Sequence, residues 1–460
     1  MGDDDRMKTG RLGRGLPLAG LAARQALGRV AGKLTRDEQK QLDRFTREAE
    51  RYVAVLGDMK GVAMKIGQLV SFLDAGAIPE QYRTAYQQIV GALQADAPPM
   101  PFETVQEVIE RELGRPADEV FDWIGERPMA AASIGQVHAA HLHGGREVVV
   151  KVQYPGVADA IRSDLANTEL IASFARLGAK LSPIRVTADP SALAEEITER
   201  ISEELDYRIE AANQTAFAAY YRDHPFIRVP AVVPELSTER VLVMDEHDGL
   251  RWTAALDQPQ ELKDTWGEVV FRFVYTSLYG FGAFNADPHP GNYLFHDDGS
   301  VSFLDFGCVK RFSEDQLAAL RRTGKAIRRG DADALHQCWV DLHFTNAGGK
   351  VDKQRLFDWW APIWDPGRAE QPFTFTPDFA AWVIARNFDV LGEWGDVVRR
   401  TGIGEESRDF TFLTRIQVGL YSVLGALRAT RDWRAILGEL MFGDPPGTDL
   451  GHRHTAWRSG

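Results

Sequence analysis

Residues 285–307 read NADPHPGNYLFHDDGSVSFLDFG. Pro288, Pro290 and Gly291 break any helix, so the first part of this stretch is a loop. Tyr293-Leu294-Phe295 and Ser300 to Leu304 flank His-Asp-Asp-Gly, which predicts a hairpin over 293–304 turning at Asp298-Gly299. Asp287 and Asn292 share the loop, and Asp305-Phe306-Gly307 closes the hairpin. Carboxylate and amide oxygens are hard donors suited to magnesium. An aspartate on a loop can also take or orient a proton.

Upstream, residues 129–153, MAAASIGQVHAAHLHGGREVVVKVQ, predict two strands joined by a His143-Gly144-Gly145 turn. Lys151 is the single charge within the β-branched run VVVKV, and Pro155-Gly156 stops it. Helices are expected over about 158–178 and 190–221. In the second, Leu193, Ile197, Ile201, Leu205 and Ile209 recur every four residues as a buried stripe. VLVM at 241–244 reads as a buried strand, and an apolar helix over about 262–280 leads into the 285–292 loop. The order is therefore a lysine on a strand after a small-residue loop, an apolar strand, Asp-x-x-x-x-Asn, a hairpin and Asp-Phe-Gly. Transfer of a phosphoryl group from ATP needs these parts: a lysine on the phosphates, an aspartate for the nucleophile's proton, and an asparagine and a second aspartate for magnesium. Their order is that of protein kinases.

Three further motifs carry a narrower resemblance. Lys65-Ile66-Gly67-Gln68 fits a KxGQ signature. Ala131-Ala132-Ser133-Ile134-Gly135-Gln136-Val137 fits an alanine-rich loop standing where kinases have a glycine-rich one. Glu204-Leu205-Asp206-Tyr207 fits an ExD motif. Over about residues 55–310 the chain resembles the UbiB family of atypical kinases, the AarF-domain proteins. That resemblance implies a two-lobed, protein-kinase-like α+β fold with helical extensions at both ends. It implies ATP and Mg2+ as cofactors, Lys151 on the phosphates, Glu204 paired with Lys151, Asp287 as the catalytic-loop aspartate, and Asn292 and Asp305 on magnesium. Ala131, Ala132, Ser133 and Met244 would line the nucleotide site. One departure is Asn285, two residues before Asp287, where such families usually have His; an amide can still hydrogen-bond the local backbone.

Beside these implications stand physical readings. Alanine Cβ atoms and a serine keep the 131–133 loop from closing over phosphates as glycines would. Glu204 and Asp206 lie about 200° apart around a helix, so they face different partners unless the helix breaks there. Asp206 is then free for Lys65, which shares a helix face with Gln68, the three forming a lid over the nucleotide site. Glu169 is the rival partner for Lys151 on ordinary kinase spacing, and Glu204 could equally be one more solvated acid among Glu195, Glu196, Glu199 and Glu203. Ser313 can cap a helix starting at Glu314, with Gln316 completing a capping box. Only residues 308–312 then separate Asp-Phe-Gly from that helix. No long activation segment is present to hold a peptide, so a small-molecule or lipid-related acceptor, or water, is expected.

The rest bounds the answer. The chain has 460 residues, 44% hydrophobic and 26% charged, enough to bury a large core. Two cysteines, Cys308 and Cys338, exclude a disulfide framework. A net charge of −13 speaks against nucleic acid. The N-terminus lacks signal-peptide order and no run of 18 apolar residues occurs, so a cytoplasmic protein is the default. Residues 6–36 carry eight basic and no acidic residues among scattered leucines. This arm could touch anionic membrane peripherally, though a solvated arm is the plainer reading.

Trp359, Trp360, Trp364, Trp382 and Trp394 read as a helical core. His138, His141 and His143 lie along a strand and turn rather than as a metal set, and His452 and His454 read as part of a disordered tail. The expected divisions are a basic arm at 1–36, a helical KxGQ segment at 37–118, an N-lobe at 119–246, a C-lobe at 247–345 and a C-terminal helical extension at 346–460. The function expected is an atypical kinase or ATPase, with a possible role in isoprenoid-quinone or lipid metabolism implied by the resemblance. A protein kinase is disfavoured by the missing activation segment, and two further alternatives stay open. One is a nonenzymatic nucleotide-gated binding module. The other is a small-molecule phosphotransferase of the aminoglycoside or choline kinase type, which shares Asp287, His289 and Asn292 but not KxGQ.

Overall fold

The VVVKV run sets the first lobe. In a strand, alternate side chains face opposite ways. Val148, Val150 and Val152 are fully buried on one face, while Val149 and Lys151 face the other. A computed structural model describes residues 99–132, 134–159, 161, 205–285, 288–345, 351–387, 393–394, 397 and 408–460.

Within these, helix α1 (Phe102–Leu113) covers the valine face with Val105, Val108 and Ile109. Strands β1 (Phe121–Ile124), β2 (Ala130–Ala132), β3 (Gly135–Leu142) and β4 (Glu147–Gln153) follow. Gly144 and Gly145, at φ +101° and +84°, make the β3–β4 turn as expected. Gly135 opens β3 hard against the neighbouring strand, where a Cβ would lie 2.1 Å from the Val152 carbonyl oxygen.

Helix α2 (Tyr207–Tyr220) departs from the sequence reading. The period-four stripe predicted one helix through 221, with Ile209 buried. Instead the backbone is extended at Asp206, which caps α2 by accepting a hydrogen bond from the Arg208 N–H. The register restarts there: Tyr207, Glu210, Gln214 and Phe217 face inward, and Ile209 is 40% exposed. The 158–178 helix and the first part of the 190–221 helix lie largely outside the described residues.

Strands β5 (Ile227–Arg228) and β6 (Val241–Asp245) come next. The first sheet has the order β1-β3-β4-β6, with β2 on β3, and all its pairings are antiparallel. Helix α3 (Gln260–Thr276) is buried from Trp266 onward and forms the spine of the second lobe. Strands β7 (Ala283–Asn285), β8 (Tyr293–Phe295), β9 (Val301–Phe303) and β10 (Val309–Arg311) lie beside it. The β8–β9 hairpin turns through Gly299 at φ +82°. Helix α4 (Glu314–Arg329) begins with the predicted capping box, both halves of which are formed.

Helices α5 (Ala332–Asp341), α6 (Lys353–Trp360), α7 (Pro377–Asn387) and α8 (Arg408–Leu427) share one apolar core with α3. Trp359 and Trp360 are buried in it, whereas Trp382 is 39% exposed, capped by the Arg386 guanidinium 5.0 Å away. The expected tail is also corrected. Residues Asp449–Ser459 form a helix, α9, with His454 only 1% exposed. The fold is thus a mixed α/β, two-lobed, kinase-like one. Among the described residues no helix is long and apolar enough to cross a membrane.

Candidate functional site

Lys151 projects from β4 into the space between the lobes, where α2 meets it. Its Nζ donates to both oxygens of Glu210, at 2.9 and 2.8 Å. The Asp305 carboxylate is 3.9 Å away, and the Tyr207 ring lies 4.9 Å beneath the ammonium. Burial opposes the charge, but the Glu210 and Asp305 carboxylates outweigh it and hold the Lys151 ammonium above its ordinary range. The lysine is thus fixed as a cation, as a phosphate-binding group must be.

Among the described residues the partner of Lys151 is Glu210. Glu204 lies outside the described residues, as does Glu169, and both oxygens on Lys151 belong to Glu210. The break at Asp206 is the reason: it resets the helical register and turns Glu210, not Ile209, inward. The spacing Tyr207–Glu210–Gln214–Phe217 carries that signal. Asp206 itself is gripped by Arg208, whose Nε and Nη2 donate to its two oxygens at 2.9 and 2.7 Å. The expected Asp206–Lys65 contact falls outside the described residues, with Lys65 and Gln68.

The inner face of α2 organises the Asp305-Phe306-Gly307 turn as well. Asn213 Nδ2 donates to the Phe306 carbonyl at 3.2 Å, and the fully buried Phe306 ring packs 4.8 Å from that of Phe217. Gly307 N–H donates to Asp305 Oδ1 at 2.9 Å, fixing the carboxylate, which remains one-third exposed to the cleft. Asn285 Nδ2 donates to the Asp305 carbonyl. The amide therefore bonds backbone, as its chemistry allowed, but that of the Asp305 turn. Val309 pairs with Asn285, so the chain leaves the turn directly as β10 and reaches α4 with no long loop between.

Asn292 ends a short 3-10 turn whose cap is His289; its backbone carbonyl accepts from Leu304 N–H at 3.0 Å, holding the loop against the strand that leads to Asp305. Asp287 lies outside the described residues. Ala131 and Ala132 belong to β2, opposite Gln136 and Gly135, and Ser133 is likewise outside. Met244 is buried behind α2, its sulfur accepting from Gln214 Nε2 at 3.2 Å. Helix α2 thus touches Lys151 through Glu210, the Asp-Phe-Gly turn through Asn213 and Met244 through Gln214. His138 is buried and bonded to Gly125 O and Gln136, and no metal-holding group of three His, Cys, Asp or Glu occurs among the described residues. A magnesium ion here would take one carboxylate, one amide and phosphate oxygens, a donor set that suits it.

The comparisons agree with this geometry. A family described as the ABC1 atypical kinase-like domain matches residues 92–339. Over 305 residues the chain is 36% identical to the mitochondrial atypical kinase COQ8B of Rattus norvegicus, covering 64% of this chain and 54% of that one. Over 296 residues it is 32% identical to the mitochondrial atypical kinase COQ8 of Saccharomyces cerevisiae, covering 64% and 57% respectively. The chain therefore spans little more than half the length of these relatives. A solved structure of Rv3197 with erythromycin, from Mycobacterium tuberculosis, superposes with TM-score 0.61 at 29% identity, covering 88% of this chain and 98% of that one. With more than half its length matched and Lys151, the Asp-Phe-Gly turn and the short exit strand in place, the chain belongs to the ABC1 atypical kinase-like family, the UbiB and COQ8 group.

Proposed function

We propose that the cleft binds Mg-ATP and hydrolyses it, or passes its terminal phosphate to a small-molecule or lipid-related acceptor. The carrying observation is the Lys151–Glu210 pair set 3.9 Å from Asp305, on a turn anchored by the same helix. Lys151 would neutralise the phosphates. Asn292 and Asp305 would hold magnesium, which offsets the charge on the phosphate oxygens. Asp287 would orient the attacking hydroxyl or water. The direct run from Gly307 through β10 to α4 leaves no platform for a peptide, which favours a compact acceptor. The COQ8 relatives are mitochondrial atypical kinases, and a role for this chain in isoprenoid-quinone or lipid metabolism is proposed on that likeness. Peripheral contact of the basic 6–36 arm with anionic membrane belongs to the same reading.

The test is phosphate release from Mg-ATP by the full chain, with and without anionic vesicles, beside Asp305→Asn. Loss of release in the variant, with unchanged thermal unfolding, is the expected outcome. Equal release by both proteins would sink the reading. Nucleotide binding without any release would favour a nucleotide-gated binder. A second reading, a small-molecule phosphotransferase or binder, draws on the Rv3197 structure, which is a complex with erythromycin. Release stimulated by a macrolide rather than by vesicles would favour it.

A further inference from the structure

Helix α9 ties the two ends of the site's framework together. At its start, Thr448 accepts from Arg272 Nη2 at 3.0 Å and donates to Glu268, both on α3. At its far end it grips the segment that follows α2. Trp457 Nε1 donates to Arg222 O and Arg453 Nη2 to Pro225 O, each at 2.9 Å. The Trp457 ring lies parallel to Tyr221, the C-cap residue of α2, and edge-on to His224 at 4.4 Å. Between these contacts His224 and His454 meet, Nε2 to Nδ1, at 3.0 Å.

The hydrogen bonds fix the protons on this pair. His224 Nδ1 accepts from the backbone N–H groups of Phe226 and Ile227, so its proton is on Nε2 and is donated to His454 Nδ1. His454 then carries its own proton on Nε2, a buried atom with no hydrogen-bond partner among the described residues. A second proton on either ring would face a donor already in place. The surrounding charges also oppose one: Arg272 on α3, and Arg453 and Arg458 on α9 itself. The nearby carboxylates, Glu268 and Glu439, are engaged by Arg272, and Tyr221 donates its hydroxyl to Ser277 or Phe273 O.

We infer that α9 is a clamp that positions Glu210 by pinning the end of α2 to the C-lobe, and that it holds only while His224 and His454 are both neutral. Burial, with the adjacent cations, lowers both imidazoles to about 3. A lowered histidine contributes stability above its ordinary value of about 6.5 that is lost as pH falls below it. On going to pH 5.0 the balance shifts toward the released form about 30-fold per histidine, on the order of 1,000-fold for the pair. The catalytic meaning of the clamp rests on the nucleotide reading above; its mechanical meaning does not.

Amide hydrogen exchange of the full chain, expressed as protection factors, reads the clamp without nucleotide. In the wild type, protection across 207–228 should fall on the order of 1,000-fold from pH 7.0 to 5.0, while the 293–303 hairpin stays protected. His454→Phe, which keeps a ring but takes up no proton, should reduce that step about 30-fold. Trp457→Ala should lower protection of 207–228 at least tenfold already at pH 7.0. Should it also loosen 293–303, Arg453→Ala, losing only the bond to Pro225, should show a threefold effect confined to 207–228. Unaltered protection in the variants, or a full pH step in His454→Phe, overturns the clamp. Absent ATP turnover with the exchange pattern present overturns only the nucleotide reading.

Discussion

Lys151 and Glu210 keep 12% and 7% of their side-chain surfaces in contact with solvent, so each charge depends on the other. Removing one partner of a buried pair strands the remaining charge, at a cost of about 3–5 kcal/mol. Glu210→Ala should therefore lower unfolding free energy by that order in denaturant titrations, the low end applying because Asp305 stays 3.9 Å from the ammonium. The sign of its pH dependence follows from a lysine held above its ordinary value. The stabilisation is complete below about pH 10 and is lost only as pH rises further, so the difference between wild type and variant should stay flat from pH 6 to 9. Lys151 was legible in sequence because one charge inside a β-branched run is conspicuous. Glu210 was not, because the apolar spacing from Leu193 to Ile209 runs unbroken through Leu205 and Asp206. Local pattern cannot show that Asp206 leaves the helix and caps the next one.

At the scale of elements, the signals that held were those whose cause is local. The Gly144-Gly145 turn, the Asp298-Gly299 hairpin and the Ser313 capping box each depend on residues within a few positions. Ser313→Ala should cost about 1 kcal/mol by removing the bond to the Gln316 N–H, read as a small shift in thermal midpoint. Gly135→Ala should do far more. Its Cβ would meet the Val152 carbonyl at 2.1 Å, and a backbone atom cannot swing aside as a side chain can. The β3–β4 edge would have to part next to Lys151, so the expected result is a several-fold loss of nucleotide affinity, measured by titration calorimetry, together with lower stability. Helix α9 escaped the sequence reading for the opposite reason. Its anchors, His224 and Arg272, lie more than 170 residues away, and nothing in DLGHRHTAWRS announces them.

Across the whole molecule, one buried charge network joins α3 to the chain's end. Arg272 is completely buried and donates to Glu268 at 2.8 Å and to both oxygens of Glu439 at 2.9 Å, while Arg431 donates to the second oxygen of Glu268 at 3.0 Å. Gly451 passes so close that a Cβ would lie 2.8 Å from the Arg272 guanidinium, which leaves the network no room to rearrange. Its energetics differ in kind from those of surface pairs such as Lys353–Asp333, whose side chains are 51% and 81% exposed and whose attraction water and salt screen. Arg272→Ala strands the buried Glu439 carboxylate, leaves Glu268 to Arg431 and Thr448, and should cost about 3–5 kcal/mol. The loss should change little between 50 and 500 mM salt, because ions screen exposed charges but scarcely reach buried ones. Lys353→Ala is the control, with a small effect that salt erases. Equal salt sensitivity in the two variants would mean that water reaches the Arg272 network, and that the C-terminal helix is held by its aromatic contacts instead.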